Sequence, residues 1–289
     1  MGALATTSTR ASTRRSGWLI HRLVMIVTGL FFALWTLIPM YWIIATSLKT
    51  DLQVFRENTL YPTSPTLVNY HTILYQTNFL LYIRNSLEVA LVVTTASMVF
   101  GSAAAYAIAR LQFRGRSTIA RGIVVSYLVP GSLLFISLFE VLNELNLTDQ
   151  LTGLMVVYLS FTLPFCTWLM IGYFRSIPKE LEEAALVDGC TRFRALVSII
   201  LPLTLPALVV VALFSFTQSW NEFLYALVFI SSDSQKTFTV GLIGLIQGDT
   251  LPWSLMMAAA TLGLIPPLIV YVISQRWVVS GLAAGSVKG

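Results

Sequence analysis

The chain has 289 residues, of which 56% are hydrophobic and 11% charged, with 18 Lys and Arg against 13 Asp and Glu. A soluble domain carries about 25% charged residues, so a soluble enzyme, a secreted disulfide scaffold and a disordered chain are excluded together. The charges are also unevenly placed: Leu23–Leu48, Val89–Ala109, Gly122–Phe139, Gln150–Phe174 and Thr250–Gln275 carry none, and Ala195–Ser232 carries only Glu222. Each run is long enough to cross roughly 30 Å of hydrocarbon as a helix. The pattern predicts an all-α polytopic membrane protein with six transmembrane helices.

Residues 1–17 are rich in Ser, Thr and Arg without apolar periodicity, which suits a mobile tail. The first span is expected over Trp18–Thr46, with a bend at Pro39. Its apolar run is too long for a cleavable signal peptide, so it reads as an uncleaved span. An outer segment of about 35 residues follows and is expected to fold onto the outer face. The second span, Ile83–Ala109, holds Gly101, Ser102, Ala103, Ala104 and Ala105; small residues let helix backbones approach closely in lipid. The third, fourth, fifth and sixth spans are expected over Arg121–Phe139, Leu151–Tyr173, Pro206–Ile230 and Trp253–Trp277. The core domain is then 18–280, with a tail at 281–289.

Six crossings put both termini on one side, and the segments on that side hold 14 of the 18 basic residues. The positive-inside rule makes that side the cytoplasm. The net charge of +5 is thus a topology signal, and nucleic acid is not an expected partner. Cys166 falls inside a span and Cys190 in a cytoplasmic loop, so no bridge between them is expected. His21 and His71 lie far from any ligand cluster and suggest no metal.

The loop 175–201 is the most informative stretch. Pro178 suits the first turn of a helix, and Glu180, Glu182 and Glu183 follow at the end that favours negative charge. Gly189 supplies a left-handed stop. Thr191 can cap a second helix in which Phe193, Leu196, Val197 and Ile200 share one face. The unit presents acidic and small side chains, a shape suited to a groove on a soluble partner, although an ordinary connecting loop would look similar.

The same loop reads Glu183-Ala184-Ala185, three residues, Gly189, nine residues, Ile199, one residue, Leu201-Pro202. This resembles the EAA signature of permease subunits in binding-protein-dependent ABC importers. Asn85-Ser86, Ala104-Ala105-Tyr106-Ala107 with Arg110, Trp220-Asn221-Glu222-Phe223 and the ending Gly281–Gly289 are similar to the carbohydrate branch, and the ending to the MalG-like second permease. The resemblance implies a type I importer fold in a bacterial or archaeal plasma membrane. Its implied partners are a second related permease, two cytoplasmic ATPase subunits that bind ATP and Mg, an external solute-binding protein and a carbohydrate. It also implies that Glu183, Ala184, Ala185, Asp188 and Gly189 contact the ATPase and that Leu201 and Pro202 link this contact to the fifth span. The tail residues Gly285, Val287, Lys288 and Gly289 would reach the ATPase pair, and the outer loop 231–252 would probe the binding protein.

Glu222 lies 20 residues beyond Pro202, hence about 30 Å from the inner boundary. With Gln218, Trp220 and Asn221 it forms an aromatic and polar cluster that could stack on a sugar and bind its hydroxyls; a packing carboxylate in an interfacial belt is the competing account. Glu88 is an outer-interface charge or an i,i+4 partner of Arg84. Tyr158, Thr162 and Trp168 either line a cavity or pack. The chain has no phosphate-binding Gly-x-x-x-x-Gly-Lys-Ser/Thr loop, no metal cluster and no nucleophile elbow, so it is not expected to be an enzyme. An ion-coupled secondary carrier is the rival class, and such carriers place buried charges at mid-membrane; an ABC permease for glycerol phosphate-type solutes is the rival within the class.

Overall fold

The computed structural model describes residues 9–57, 59–246 and 251–286, with side chains over 21–57, 59–246 and 251–278. The described elements are helices: α1 Thr9–Ser47, α2 Asp51–Arg56, α3 Val68–Tyr75, α4 Phe79–Arg110, α5 Arg116–Leu128, α6 Phe135–Glu144, α7 Leu151–Ser176, α8 Glu180–Val187, α9 Arg192–Ala195, α10 Leu201–Leu203, α11 Leu205–Asn221, α12 Leu224–Phe229, α13 Phe238–Ile243 and α14 Trp253–Ser286. Among the described residues, four helices are by themselves long and apolar enough to cross a membrane: His21–Ser47 of α1, α4, α7 and Trp253–Val278 of α14.

The chain divides into two compact units. The first comprises residues 1–70 and 253–261. Here the segment after α1 folds back on the helix end, because its polar groups find backbone partners. Asn69 donates to the carbonyls of Ser47 and Lys49 at 2.8 Å each, and the Lys49 ammonium donates to the Thr59 carbonyl at 2.6 Å. Thr50 and Gln53 form a reciprocal capping box at the start of α2, satisfying two orphan donors. Asp51 accepts from the Ser254 N–H at 3.0 Å and its hydroxyl at 2.6 Å. In α1 the side chains from Leu23 to Leu37 stand exposed in the chain. That suits a helix surrounded by lipid or a partner rather than by water.

The second unit comprises residues 71–252 and 262–289, and its spine is α4 against α7, with α11 on α4 and α5 on α7. Small residues make this approach possible. Gly101, Ser102 and Ala105 of α4 are buried while Ala103 and Ala104 point away, and a Cβ at Gly101 would lie 3.2 Å from that of Cys166. Polar side chains pair across the interfaces: the Ser97 and Thr162 hydroxyls at 2.9 Å, and the Cys166 thiol with the Ser215 hydroxyl at 3.1 Å. Cys166 and Cys190 are both free thiols.

Two of the expected spans are not continuous helices. The expected third span, 121–139, breaks after Leu128 into an extended Val129-Pro130, a single 3₁₀ turn at Gly131–Leu133, and then α6. Pro130 lacks an N–H and pushes the preceding residue out of the helical region. The expected fifth span, 206–230, breaks at Glu222, whose ψ of 131° separates α11 from α12. The low charge of both segments registers neither break, because it says nothing about the continuity of backbone hydrogen bonding.

Candidate functional site

The loop after α7 folds as its local chemistry dictates. Ile177 is extended before Pro178, and α8 starts with three carboxylates in its first turn. Gly189 closes the helix at φ +84°. The Cys190 N–H reaches the Ala185 carbonyl at 2.9 Å and the Gly189 N–H that of Leu186 at 3.1 Å, the paired bonds of a Schellman stop. Thr191 then caps α9 by accepting from the Arg194 N–H at 3.2 Å.

Residues Leu196–Ile200 form a π-helical turn. The wider turn shifts the stripe expected from 3.6-residue spacing, so Ala195, Leu196 and Ile200 are buried while Phe193 and Val197 are exposed. The helical stretch Arg192–Leu203 meets α11 at 81°, with Thr204 at the corner. The loop therefore lies across the direction of the span that follows it. Leu201 is half-buried against the bundle, and Pro202 is exposed.

The side chains of α8 divide sharply. Glu180, Glu183, Ala184, Asp188 and Gly189 are exposed, and Val187 and Phe193 expose 87% and 75% of their surface. Ala185 and Glu182 turn inward. Glu182 accepts a 2.6 Å hydrogen bond from the Tyr106 hydroxyl of α4, and its other oxygen lies 3.6 Å from Arg110 Nε. A terminal nitrogen of Arg110 donates to the Ile177 carbonyl at 2.8 Å. Arg110 and Glu182 side chains are 3% and 7% exposed. No charge pattern in the sequence separates Glu182 from its neighbours; only the partners 72 and 76 positions earlier do.

At the opposite end of α11, the cluster of Gln218, Trp220, Asn221 and Glu222 does not share one face. Trp220 is 1% exposed, stacked between Phe216 at 5.8 Å and Phe238 at 5.0 Å. Gln218 and Asn221 are exposed. The Glu222 carboxylate accepts from the N–H groups of Tyr225 and Ala226 at 3.0 and 3.1 Å and from the Tyr158 hydroxyl at 2.7 Å. It thus caps α12, supplying the acceptor that the break in the helix demands. Thr162 is buried and bonded to the Tyr158 carbonyl at 2.9 Å. Glu88 and Arg84 are both exposed, and the ion pairs among the described residues, Arg110–Glu182 and Lys236–Asp233, do not include them. Trp168 is half-exposed beside a 1040 Å³ groove that Arg116, Arg121 and Arg175 also line.

The loop after α12 is fastened by groups that only the fold reveals as functional. Asn85 donates to the carbonyls of Ser234 and Lys236 at 3.0 and 2.9 Å, and the Ser86 hydroxyl accepts the Phe238 N–H at 2.8 Å. Asp233 accepts from Asn78, Tyr82 and Lys236 at 2.8, 2.7 and 2.9 Å. These donors, the Lys236 ammonium first, hold its carboxyl down at about 2. Asp149 accepts from the N–H groups of Ser231 and Ser232 at 2.8 Å each and from the Ser232 hydroxyl, and these bonds likewise lower its pKa. The motif residues Asn85 and Ser86 are therefore loop anchors. Of the tail, Gly285 falls at the end of α14, beyond the described side chains, and Val287, Lys288 and Gly289 lie outside the described residues.

Residues 97–283 match the family described as binding-protein-dependent transport system inner membrane component. The chain is 39% identical to the sulfoquinovosyl glycerol transport system permease protein of Agrobacterium fabrum, over 92% of this chain and 91% of that protein. It is 35% identical to the trehalose/maltose transport system permease protein of Thermococcus litoralis, over 93% and 98%. It is 34% identical to the diacetylchitobiose uptake system permease protein of Streptomyces coelicolor, over 91% and 96%. Its fold is similar to a chain of a bacterial ABC transporter involved in import of the acidic polysaccharide alginate, with a TM-score of 0.76 at 23% identity over 91% of this chain and 97% of that one. The helical bundle, the crosswise Gly189 loop and these matches together show that the chain belongs to the binding-protein-dependent transport system inner membrane components, the plasma-membrane permeases of ABC importers.

Proposed function

We propose that the chain forms half of the translocation path of a sugar importer, paired with a second, related permease. A solute-binding protein delivers the sugar from outside, and two ATPase subunits, which bind the ATP and Mg, engage the α8–α9 loop in the cytoplasm. Six crossings, counting α5–α6 and α11–α12 as broken spans, leave both termini on the basic, cytoplasmic side. The sugar class is supported by relatives named for transport of trehalose and maltose, diacetylchitobiose and sulfoquinovosyl glycerol.

One observation carries this reading: α8 and α9 hold Val187 and Phe193 out from the chain beside Glu183 and Asp188. Two large apolar side chains flanked in the sequence by charged residues are costly to leave in water and suit the centre of a protein interface. Glu183, Ala184, Asp188 and Gly189 form the contact surface. Ala185, turned to the bundle, sets the spacing beneath it, and Leu201 and Pro202 carry the contact to α11. The C-terminal residues Gly285, Val287, Lys288 and Gly289 form a second contact.

The test is co-purification of the ATPase with the assembled transporter, alongside uptake of a labelled disaccharide by membrane vesicles. Gly189→Val meets no steric obstacle but forces a β-branched residue to φ +84°, at a cost of roughly 1–2 kcal/mol. With Val187→Arg, it is expected to reduce ATPase recovery and abolish uptake while the permease still inserts. Undiminished ATPase recovery from both variants would show that the loop is not the docking site.

A further inference from the structure

We propose that Tyr106, Glu182 and Arg110 are positioning residues that lock α8 to α4, so that displacement of the loop by the ATPase is passed to the second span. This rests on the loop being the ATPase seat. Glu182 differs from the other acids of α8 in being withdrawn from the surface, with its side chain 7% exposed. A buried carboxylate is costly unless it is paired and hydrogen-bonded, and both conditions are met from α4: the Tyr106 hydroxyl at 2.6 Å on one oxygen and the Arg110 guanidinium at 3.6 Å from the other. Arg110 also donates to the Ile177 carbonyl, at the point where α7 ends and Pro178 begins the loop. The triad therefore ties together the end of α4, the end of α7 and the first turn of α8.

The character of these bonds matters. Elsewhere α8 turns only a small side chain, that of Ala185, fully toward the bundle, and apolar contact is non-directional. Charge-assisted hydrogen bonds are directional and resist both rotation and withdrawal. The Tyr106 ring is itself held edge-on against Phe174, at 6.2 Å between centroids, so a pull on Glu182 is delivered to a packed residue of α4. Open space of about 670 Å³ beside Arg110, Glu182 and Leu186 leaves these polar links as the rigid connection on that side.

The experiment uses the complete transporter, with its partner permease, ATPase and binding protein, reconstituted in liposomes. Sugar delivered per ATP hydrolysed is measured for wild type, Tyr106→Phe, Glu182→Gln and the double variant. Tyr106→Phe removes one hydroxyl and leaves the ring in place. The expected result is an assembled transporter that still hydrolyses ATP but moves roughly tenfold less sugar per ATP, equivalent to about 1.4 kcal/mol. Because the two residues act through one bond, the double variant is expected to be no worse than the poorer single.

Parallel loss of hydrolysis and uptake at an unchanged ratio would overturn the proposal, and so would multiplicative losses in the double variant. Failure of Tyr106→Phe to assemble would also overturn it, because the hydroxyl would then serve folding rather than transmission. If the Gly189→Val and Val187→Arg variants hold the ATPase undiminished, the docking reading fails instead. An unchanged ratio with the ATPase bound through the loop removes the positioning role alone.

Discussion

Glu222→Ala separates a cap from a lining group. In the folded chain this carboxylate takes two backbone N–H groups at the start of α12 and the hydroxyl of the fully buried Tyr158. Removing an N-cap acceptor costs about 0.5–2 kcal/mol, and leaving a buried hydroxyl unsatisfied costs about 1–3 kcal/mol. The change should therefore destabilise the permease by about 1.5–5 kcal/mol. At about 2–4 °C per kcal/mol for proteins approaching this size, the thermal midpoint should fall by on the order of 10 °C. Thermal unfolding of the purified transporter in nanodiscs, followed by intrinsic tryptophan fluorescence, reads the shift directly. Tyr158→Phe removes only the hydroxyl and should cost about 1 kcal/mol. A Glu222→Ala transporter with an unchanged midpoint and abolished uptake would refute the capping argument and restore the carboxylate to the sugar path.

Two further outcomes follow from α13 and the loop that precedes it. A Cβ at Gly241 would sit 2.1 Å from Tyr82 Cδ2, and the Tyr82 ring is pinned by its 2.7 Å bond to Asp233; Gly241→Ala should thus cost about 1–3 kcal/mol by overpacking. In a Tyr82→Ala background that cost should vanish, and persistence of the full penalty would show that the ring is not the obstacle. Asp233 is held down at about 2 from an ordinary 3.8, so its contribution is complete above the ordinary value and is lost as pH falls toward 2. Wild type should unfold at a higher temperature than Asp233→Asn at about pH 5, and the gap should close with acidification; a gap independent of pH would mean that the charge contributes nothing.

Much of the helical loop was legible because its signals are local. The three early carboxylates, Gly189 and Thr191 act on backbone groups within four residues of themselves, and the structure shows each in that role; Pro178, expected in the first turn, instead stands just before the helix, which starts at Glu180 behind Lys179. The charge-free runs likewise marked where apolar helices lie, since hydrocarbon excludes charge along the whole length of a span. Hydropathy was silent on the breaks at Pro130 and Glu222, because it weighs side chains and ignores whether a backbone donor has a partner.

What the amino-acid sequence determined by itself was membrane residence, helical class and the family-defining loop, all consequences of composition and short-range spacing. Tertiary structure decided which of the few charges do work inside the protein. Four acids crowd the short α8 region, Glu180, Glu182, Glu183 and Asp188, and only Glu182 is turned inward to Tyr106 and Arg110. Trp220 and Glu222 are near neighbours in an aromatic and polar stretch, and the fold consumes one in a ring stack and the other in a cap. The physical reason is common to both cases. A buried polar group must find its partner wherever the packing of distant helices places one, and that distance is invisible along the chain.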